Sequence, residues 1–124
     1  MARARPAPVP RPEAVLTKAL LRAAKGLDVN QKRLAAVIGV SEATVSRLGR
    51  GRLVSPASKE GEIAVLFLRM WRSLHTLIGG DDAKARAWLW SDNRHLGGVP
   101  ADRIASVEGL VDVVTYLDAL RGKL

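Results

Sequence analysis

The stretch AVIGVSEATVSRL at residues 36–48 constrains this chain more than any other. Its apolar residues would suit one helix, yet Gly39 stands in the middle and Val40-Ser41 follow. A helix-interior glycine costs about 1 kcal/mol relative to alanine. Serine competes for backbone hydrogen bonds inside a helix and favours the position just before one. The spacing therefore predicts two short helices, 31–38 and 42–48, with a tight turn between them. Gly39 supplies the left-handed backbone that such a reversal needs. Asn30 caps the first helix and Ser41 the second, where Glu42 complements the helix dipole. Leu34, Ala35 and Ile38 fall on the inner face of the first, and Leu34, Val40, Val45 and Leu48 close the corner. Ala35 is small enough to let the two helices cross closely.

Two short helices joined this way form a helix-turn-helix. Its second helix turns Glu42, Ala43, Thr44, Ser46 and Arg47 outward, with Arg50 just beyond. A polar-faced helix of that size fits a DNA major groove. The charge agrees. Residues 1–60 hold 12 Lys/Arg against 4 Asp/Glu, whereas residues 61–124 hold 8 of each, so the whole net charge of +8 lies in the first half. All five aromatics (Phe67, Trp71, Trp88, Trp90, Tyr116) lie in the second. A basic half without aromatics suits duplex phosphates better than stacked single strands. A basic surface that merely keeps the chain soluble remains the alternative on charge alone.

The rest of the chain reads as helices. Residues 1–11 form a Pro/Arg-rich arm expected to be disordered. From Pro12, Val15, Leu16, Ala19, Leu20 and Ala23 recur at helical spacing until Gly26. GRGRLVSPA at 49–57 is a basic loop whose two glycines suggest mobility, so that Arg50 and Arg52 would order on DNA. Ser58 caps a long helix to about Ile78, apolar on more than one face and in need of cover on two sides, from the rest of the chain or from a second copy. Asp81 caps a helix from Asp82 to about Trp90, Pro100 opens a short one to about Ala105, and Ser106 caps the last. In that last helix Leu110, Val113, Val114, Leu117 and Leu120 share a face, and Gly109 permits close packing. Asn93 bonds its own turn, and Gly97-Gly98 reverse the chain. The expected fold is all-α: an N-terminal helix-turn-helix domain over 12–57, then a connecting helix and a small helical domain over 58–124.

Length and composition exclude much else. The chain opens on Met1 and reads as a complete small protein of one domain, or two sharing a core. It has no cysteine, which removes disulfides, iron–sulfur clusters and thiol catalysis, and leaves zinc without its usual sulfur ligands. The N-terminus lacks the apolar run of a secretory signal, and no stretch approaches the roughly 20 apolar residues of a membrane span. The cytoplasm is the natural compartment. No enzyme constellation assembles. His75 lies on the long helix and His95 in a loop, Asp81-Asp82 reads as a capping pair, and neither Gly-Gly pair has a nucleotide-binding setting. No catalytic residue, metal ligand or cofactor is expected.

The residues Gln31-x-x-Leu34-Ala35-x-x-x-Gly39-Val40-Ser41-x-x-x-Val45-Ser46-Arg47-Leu48 resemble the Cro/Xre class of repressors. The class often continues in a polar-aromatic or Glu-Asn-Gly stretch, where this chain has Leu48-Gly49-Arg50-Gly51-Arg52. By that resemblance Glu42, Ala43 and Arg47 contact bases, and Gln31, Thr44 and Ser46 contact the backbone. Ser41, Arg50 and Arg52 complete the DNA-binding set; Lys59 also comes within reach of phosphate, and Lys32 and Arg33 are further phosphate candidates. Arg47 can fork onto guanine; Glu42 either accepts from cytosine or repels phosphate.

The second half resembles the Xre/MbcA/ParS antitoxins. The resemblance rests on Ala87-Trp88-Leu89, Asn93-x-x-Leu96-Gly97-Gly98, Pro100, Ser106-Val107-Glu108-Gly109-Leu110 and Tyr116-Leu117-x-x-Leu120-Arg121-Gly122. Asp92 departs from a proline common there. This resemblance implies an antitoxin that binds a RES-domain toxin consuming NAD, or transferring ADP-ribose from it, and blocks its active site. It also implies repression of the antitoxin's own operon, and a homodimer within a larger toxin–antitoxin complex. The blocking element would be the end of the last helix: Asp118, Arg121, Gly122, Lys123 and Leu124, its terminal carboxylate occupying space the dinucleotide needs. Two other readings stay open: a stand-alone Xre-class repressor whose second half only dimerises, and an interaction protein that no longer binds DNA.

Overall fold

Seven helices make up residues 9–122, the part of the chain that the computed structural model describes. Most of the predicted N-terminal arm, and Lys123 and Leu124 of the predicted blocking tail, lie outside the described residues. The helices are α1 (Pro12–Gly26), α2 (Gln31–Ile38), α3 (Glu42–Leu48), α4 (Lys59–Leu77), α5 (Asp82–Trp90), α6 (Pro100–Arg103) and α7 (Val107–Arg121). The fold is all-α, with no strand among the described residues.

Each start has a local cause. Asn30, Ser41, Ser58, Asp81 and Ser106 cap α2, α3, α4, α5 and α7, each accepting from a backbone N–H of the first turn. That satisfies donors which would otherwise lack an intrahelical partner. α1 and α6 open on proline instead, where the missing N–H costs nothing.

α4 is the spine. Phe67, Met70 and Leu74 are fully buried along it, and Leu110, Val113 and Leu117 of α7 are fully buried against it. α1 and α2 pack on α4 as well, so the chain itself supplies much of the cover that its wide apolar surface needs; Val65 is left 51% exposed, and Leu68 and Trp71 border an open groove. One continuous apolar core runs from Leu16 to Leu117.

α4 and α7 begin with the same device. Ser58 accepts from the N–H of Gly61 at 3.0 Å and donates to the Ser55 carbonyl at 2.6 Å. Ser106 accepts from the N–H of Gly109 at 3.0 Å, and its own N–H reaches the Arg103 carbonyl. In both places the carbonyl three residues before the cap presses on the glycine three residues after it. A Cβ on Gly61 would overlap the Ser55 carbonyl, and one on Gly109 the Arg103 carbonyl. The close packing expected of Gly109 is therefore present, and Gly61 shares it.

Two local expectations change. Val15 is 53% exposed, because the buried stripe of α1 runs through Leu16, Leu20, Ala23, Ala24 and on to Leu27. The 49–57 loop is pinned, not free. The N–H groups of Arg50 and Arg52 both reach the Arg47 carbonyl. Val54 is buried, and its N–H donates to the hydroxyl of Thr17 at 2.8 Å, while that hydroxyl donates to the Glu13 carbonyl.

Candidate nucleic-acid and partner interfaces

The turn between α2 and α3 has the predicted geometry. Gly39 takes φ 75°, ψ 36°, and the N–H groups of Gly39 and Val40 both return to the Ala35 carbonyl. Val45 and Leu48 are buried beneath α3. The opposite face is open: Ser41, Glu42, Ala43 and Arg47 are exposed, as are Gln31, Arg50 and Arg52 beside it. Thr44 and Ser46 are half-buried, and the Thr44 hydroxyl lies 2.9 Å from that of Ser41. All nine predicted DNA-contacting residues thus belong to one region of the surface, formed by the start of α2, by α3 and by the loop after it. Arg47, Arg50 and Arg52 make no ion pair among the described residues. Their guanidinium groups are exposed and unpaired among the described residues.

Arg33, a phosphate candidate from the sequence, is instead engaged within the fold, because α5 and α6 arrive beside it. Its guanidinium lies over the Trp90 ring at 4.6 Å and donates to the Asp102 carboxylate at 2.9 Å. The Trp90 indole N–H donates in turn to the Leu27 carbonyl at 2.9 Å, and Arg86 donates to the Gly26 carbonyl at 3.1 Å. Carbonyls at the end of α1 are commonly satisfied by such donors when a helix stops inside a structure. Here the donors come from α5. The corner that carries the helix-turn-helix is thereby clamped by α5 and α6. No local pattern announces this clamp, since its partners are distant in sequence.

The end of α7 divides in two. Asp118 accepts from the hydroxyl of fully buried Ser73 at 2.9 Å and pairs with Arg69, so its carboxylate is committed to α4. Arg121 and Gly122 are exposed at the helix terminus. Of the predicted blocking residues within the described chain, these two face solvent and Asp118 anchors the helix that carries them.

Asn93 and Gly98 exchange backbone hydrogen bonds at 3.0 and 3.1 Å, and the Asn93 side chain accepts from the Leu96 N–H. Gly97 (φ 71°) and Gly98 (φ 153°) make the reversal, which drives Leu96 into the core and delivers Pro100 to α6. Exposed His95 stacks on Tyr116 with ring centroids 5.7 Å apart. His75 stacks on Trp71 at 4.3 Å, and its Nε2 lies 3.1 Å from the Asp82 carboxylate, off the line of a hydrogen bond. Asp81, by contrast, spends its carboxylate on the N–H groups of Ala83 and Lys84, as a cap.

Two family models match. Residues 9–69 match the antitoxin Xre-like helix-turn-helix domain, and residues 73–123 match the antitoxin Xre/MbcA/ParS C-terminal toxin-binding domain. Together they take in nearly the whole chain and meet within α4. Among curated proteins, none matches the chain.

Proposed function

The chain belongs to the Xre/MbcA/ParS antitoxins, with an Xre-like helix-turn-helix unit ahead of a toxin-binding domain, and from that premise we propose that it neutralises a RES-domain, NAD-consuming toxin and represses its own operon. The observation that carries this reading is the pairing, in one chain with a continuous core, of an open α3 followed by exposed Arg50 and Arg52 with a toxin-binding domain whose last helix ends in exposed Arg121 and Gly122.

α3 enters the major groove. Arg47 forks onto a guanine while Glu42 and Ala43 face neighbouring bases, and Gln31, Ser41, Thr44 and Ser46 set the register on the sugar-phosphate backbone. Arg50 and Arg52 neutralise phosphates. The end of α7, with Lys123 and Leu124 beyond it, enters the toxin's active site, and Asp118 holds α7 in place through Arg69 and Ser73. The protein works in the cytoplasm, without catalysis or cofactor, as a homodimer inside a larger complex.

Co-expression with a RES-type protein from the neighbouring reading frame tests this, with cellular NAD and growth as readouts. The full chain restores both. Deletion of residues 121–124 retains toxin binding on sizing but releases NAD consumption. Full neutralisation by the truncated chain would remove the tail from the mechanism. A chain that binds DNA but no toxin would be a stand-alone repressor. On operator DNA, Arg47→Ala lowers affinity by about 1–3 kcal/mol and relaxes specificity at one base pair, whereas Arg52→Ala weakens all sequences alike and lowers the salt slope by about one. Gel shifts at several salt concentrations separate these outcomes, and a wild-type chain that shifts no upstream DNA defeats the repressor half.

A further inference from the structure

α1 carries more apolar surface than the fold uses. Val15 sits half-exposed at a position the helical repeat marks for the core. With Ala19 and Gly26 it runs along one flank of α1 at the i, i+4, i+11 spacing of a single helical face. That flank, with Leu68 and Trp71 of α4, walls an open groove of about 700 Å³. Lys18, Arg22 and Arg72 also line it, and none is in an ion pair among the described residues. Its one acidic residue, Asp82, lies beside His75. The groove is turned away from the helix-turn-helix: the other flank of α1, through Leu21, Ala24 and Lys25, meets Gln31, Leu34 and Val45. These three cations are therefore not part of the α3 face, and an apolar floor does not suit phosphate.

We infer that this groove docks an acidic amphipathic helix of a partner protein. The shape argues for a helix. Ala19 lets a second helix axis approach α1 closely, whereas the Gly26 end is covered by the Asp82 carboxylate; the open flank from Val15 to Arg22 is about 10 Å long, some two turns. The charge argues for acidity. Apolar side chains at i, i+3 or i+4, and i+7 cover Val15, Ala19 and Trp71, while flanking carboxylates meet Lys18 and Arg22 on one wall and Arg72 on the other. The chain does not supply this complement from its own N-terminus, since residues 1–8 contain two arginines and no acid. The groove of a second copy is equally basic and repels its twin. The inference goes beyond the toxin-blocking reading and does not depend on it.

The test is fluorescence anisotropy of the full chain with a labelled helical peptide of about 14 residues, leucines on one face and glutamates flanking them. Controls are a scrambled peptide of the same composition and a version with lysine in place of glutamate. The wild-type chain binds the acidic peptide and neither control. Arg22→Glu/Arg72→Glu weakens binding by at least about tenfold, and weakens it less as salt rises. Ala19→Trp fills the groove and abolishes binding. Circular dichroism verifies that both variants fold, and both retain operator affinity within about twofold, because the groove faces away from α3. No binding by the wild type, or equal binding of the scrambled peptide or by the charge-reversed variant, overturns the proposal. So does loss of operator binding in folded Arg22→Glu/Arg72→Glu, which would assign the cations to DNA. A dimer that Ala19→Trp converts to monomer on sizing also overturns it, since the occupant would then be a second copy.

Discussion

Gly109→Ala lowers the stability of this protein by about 2–3 kcal/mol, although helix propensity by itself favours alanine by up to about 1 kcal/mol. The sign reverses because of a backbone atom. The added Cβ would overlap the Arg103 carbonyl oxygen, and a carbonyl cannot rotate aside as a side chain can. That carbonyl also receives the Ser106 N–H, and Ser106 caps α7 by accepting from Gly109 itself. Relief of the overlap therefore pulls the cap apart, and caps contribute about 1 kcal/mol. Gly61→Ala behaves alike against the Ser55 carbonyl. Gly122→Ala, at the other end of α7, is the control. Its φ is −67° and its Cβ would meet nothing closer than the Asp118 carbonyl at 3.5 Å, so it stays within about 0.5 kcal/mol of wild type. Urea denaturation of the three variants decides the matter. A Gly109→Ala protein as stable as wild type would mean that α6 yields freely, and that α7 is not seated on it.

The second large effect joins the two halves. Trp90→Ala removes a half-buried indole, its hydrogen bond to the Leu27 carbonyl, and the platform under Arg33. Large-to-small changes at fully buried aromatics cost about 3–5 kcal/mol, so about 2–4 kcal/mol is expected at this partly exposed position. Trp90→Phe keeps a ring for Arg33 but loses the N–H donor and part of the indole's packing volume, at about 1–2 kcal/mol. The functional consequence appears at a distance. Loosening α5 from the α1–α2 corner weakens operator binding as temperature rises, although Trp90 lies in the toxin-binding half. Gel shifts read beside circular dichroism at each temperature measure this. A double-mutant cycle between Arg33→Ala and Trp90→Ala isolates their coupling, expected at about 0.5–1 kcal/mol. If Trp90→Ala leaves melting temperature and DNA affinity unchanged, the clamp holds nothing.

Much of the architecture was legible because its causes are local. Gly39 and Ser41 end one helix and start the next through their own backbone preferences. Asn30, Ser58, Asp81 and Ser106 announce helix starts in the same way, whatever surrounds them. The outward face of α3 followed from periodicity alone, since burial of Val45 and Leu48 leaves Glu42, Ala43 and Arg47 outside. Gly61 could have been read with Gly109. Both stand three residues after a capping serine, a recurrence visible in Ser58-x-x-Gly61 and Ser106-x-x-Gly109. Val54 could not, because its burial depends on the Thr17 hydroxyl of another element.

Charge shows where the sequence stops. Its uneven distribution between the two halves is plain from the sequence, which by itself determined that the first half is cationic and, through the periodicity around Gly39 and Ser41, that a short polar-faced helix stands within it. Only the tertiary structure decided where each cation points. Arg47, Arg50 and Arg52 remain on the α3 side; Arg33 crosses to Trp90 and Asp102; Lys18 and Arg22 turn to the groove beside α4; Arg11 folds back on Glu13. Caps and breaks are settled among residues a few positions apart, so they can be read along the chain. The aim of a long side chain is settled by whichever helix arrives beside it, and that is a property of the packed fold.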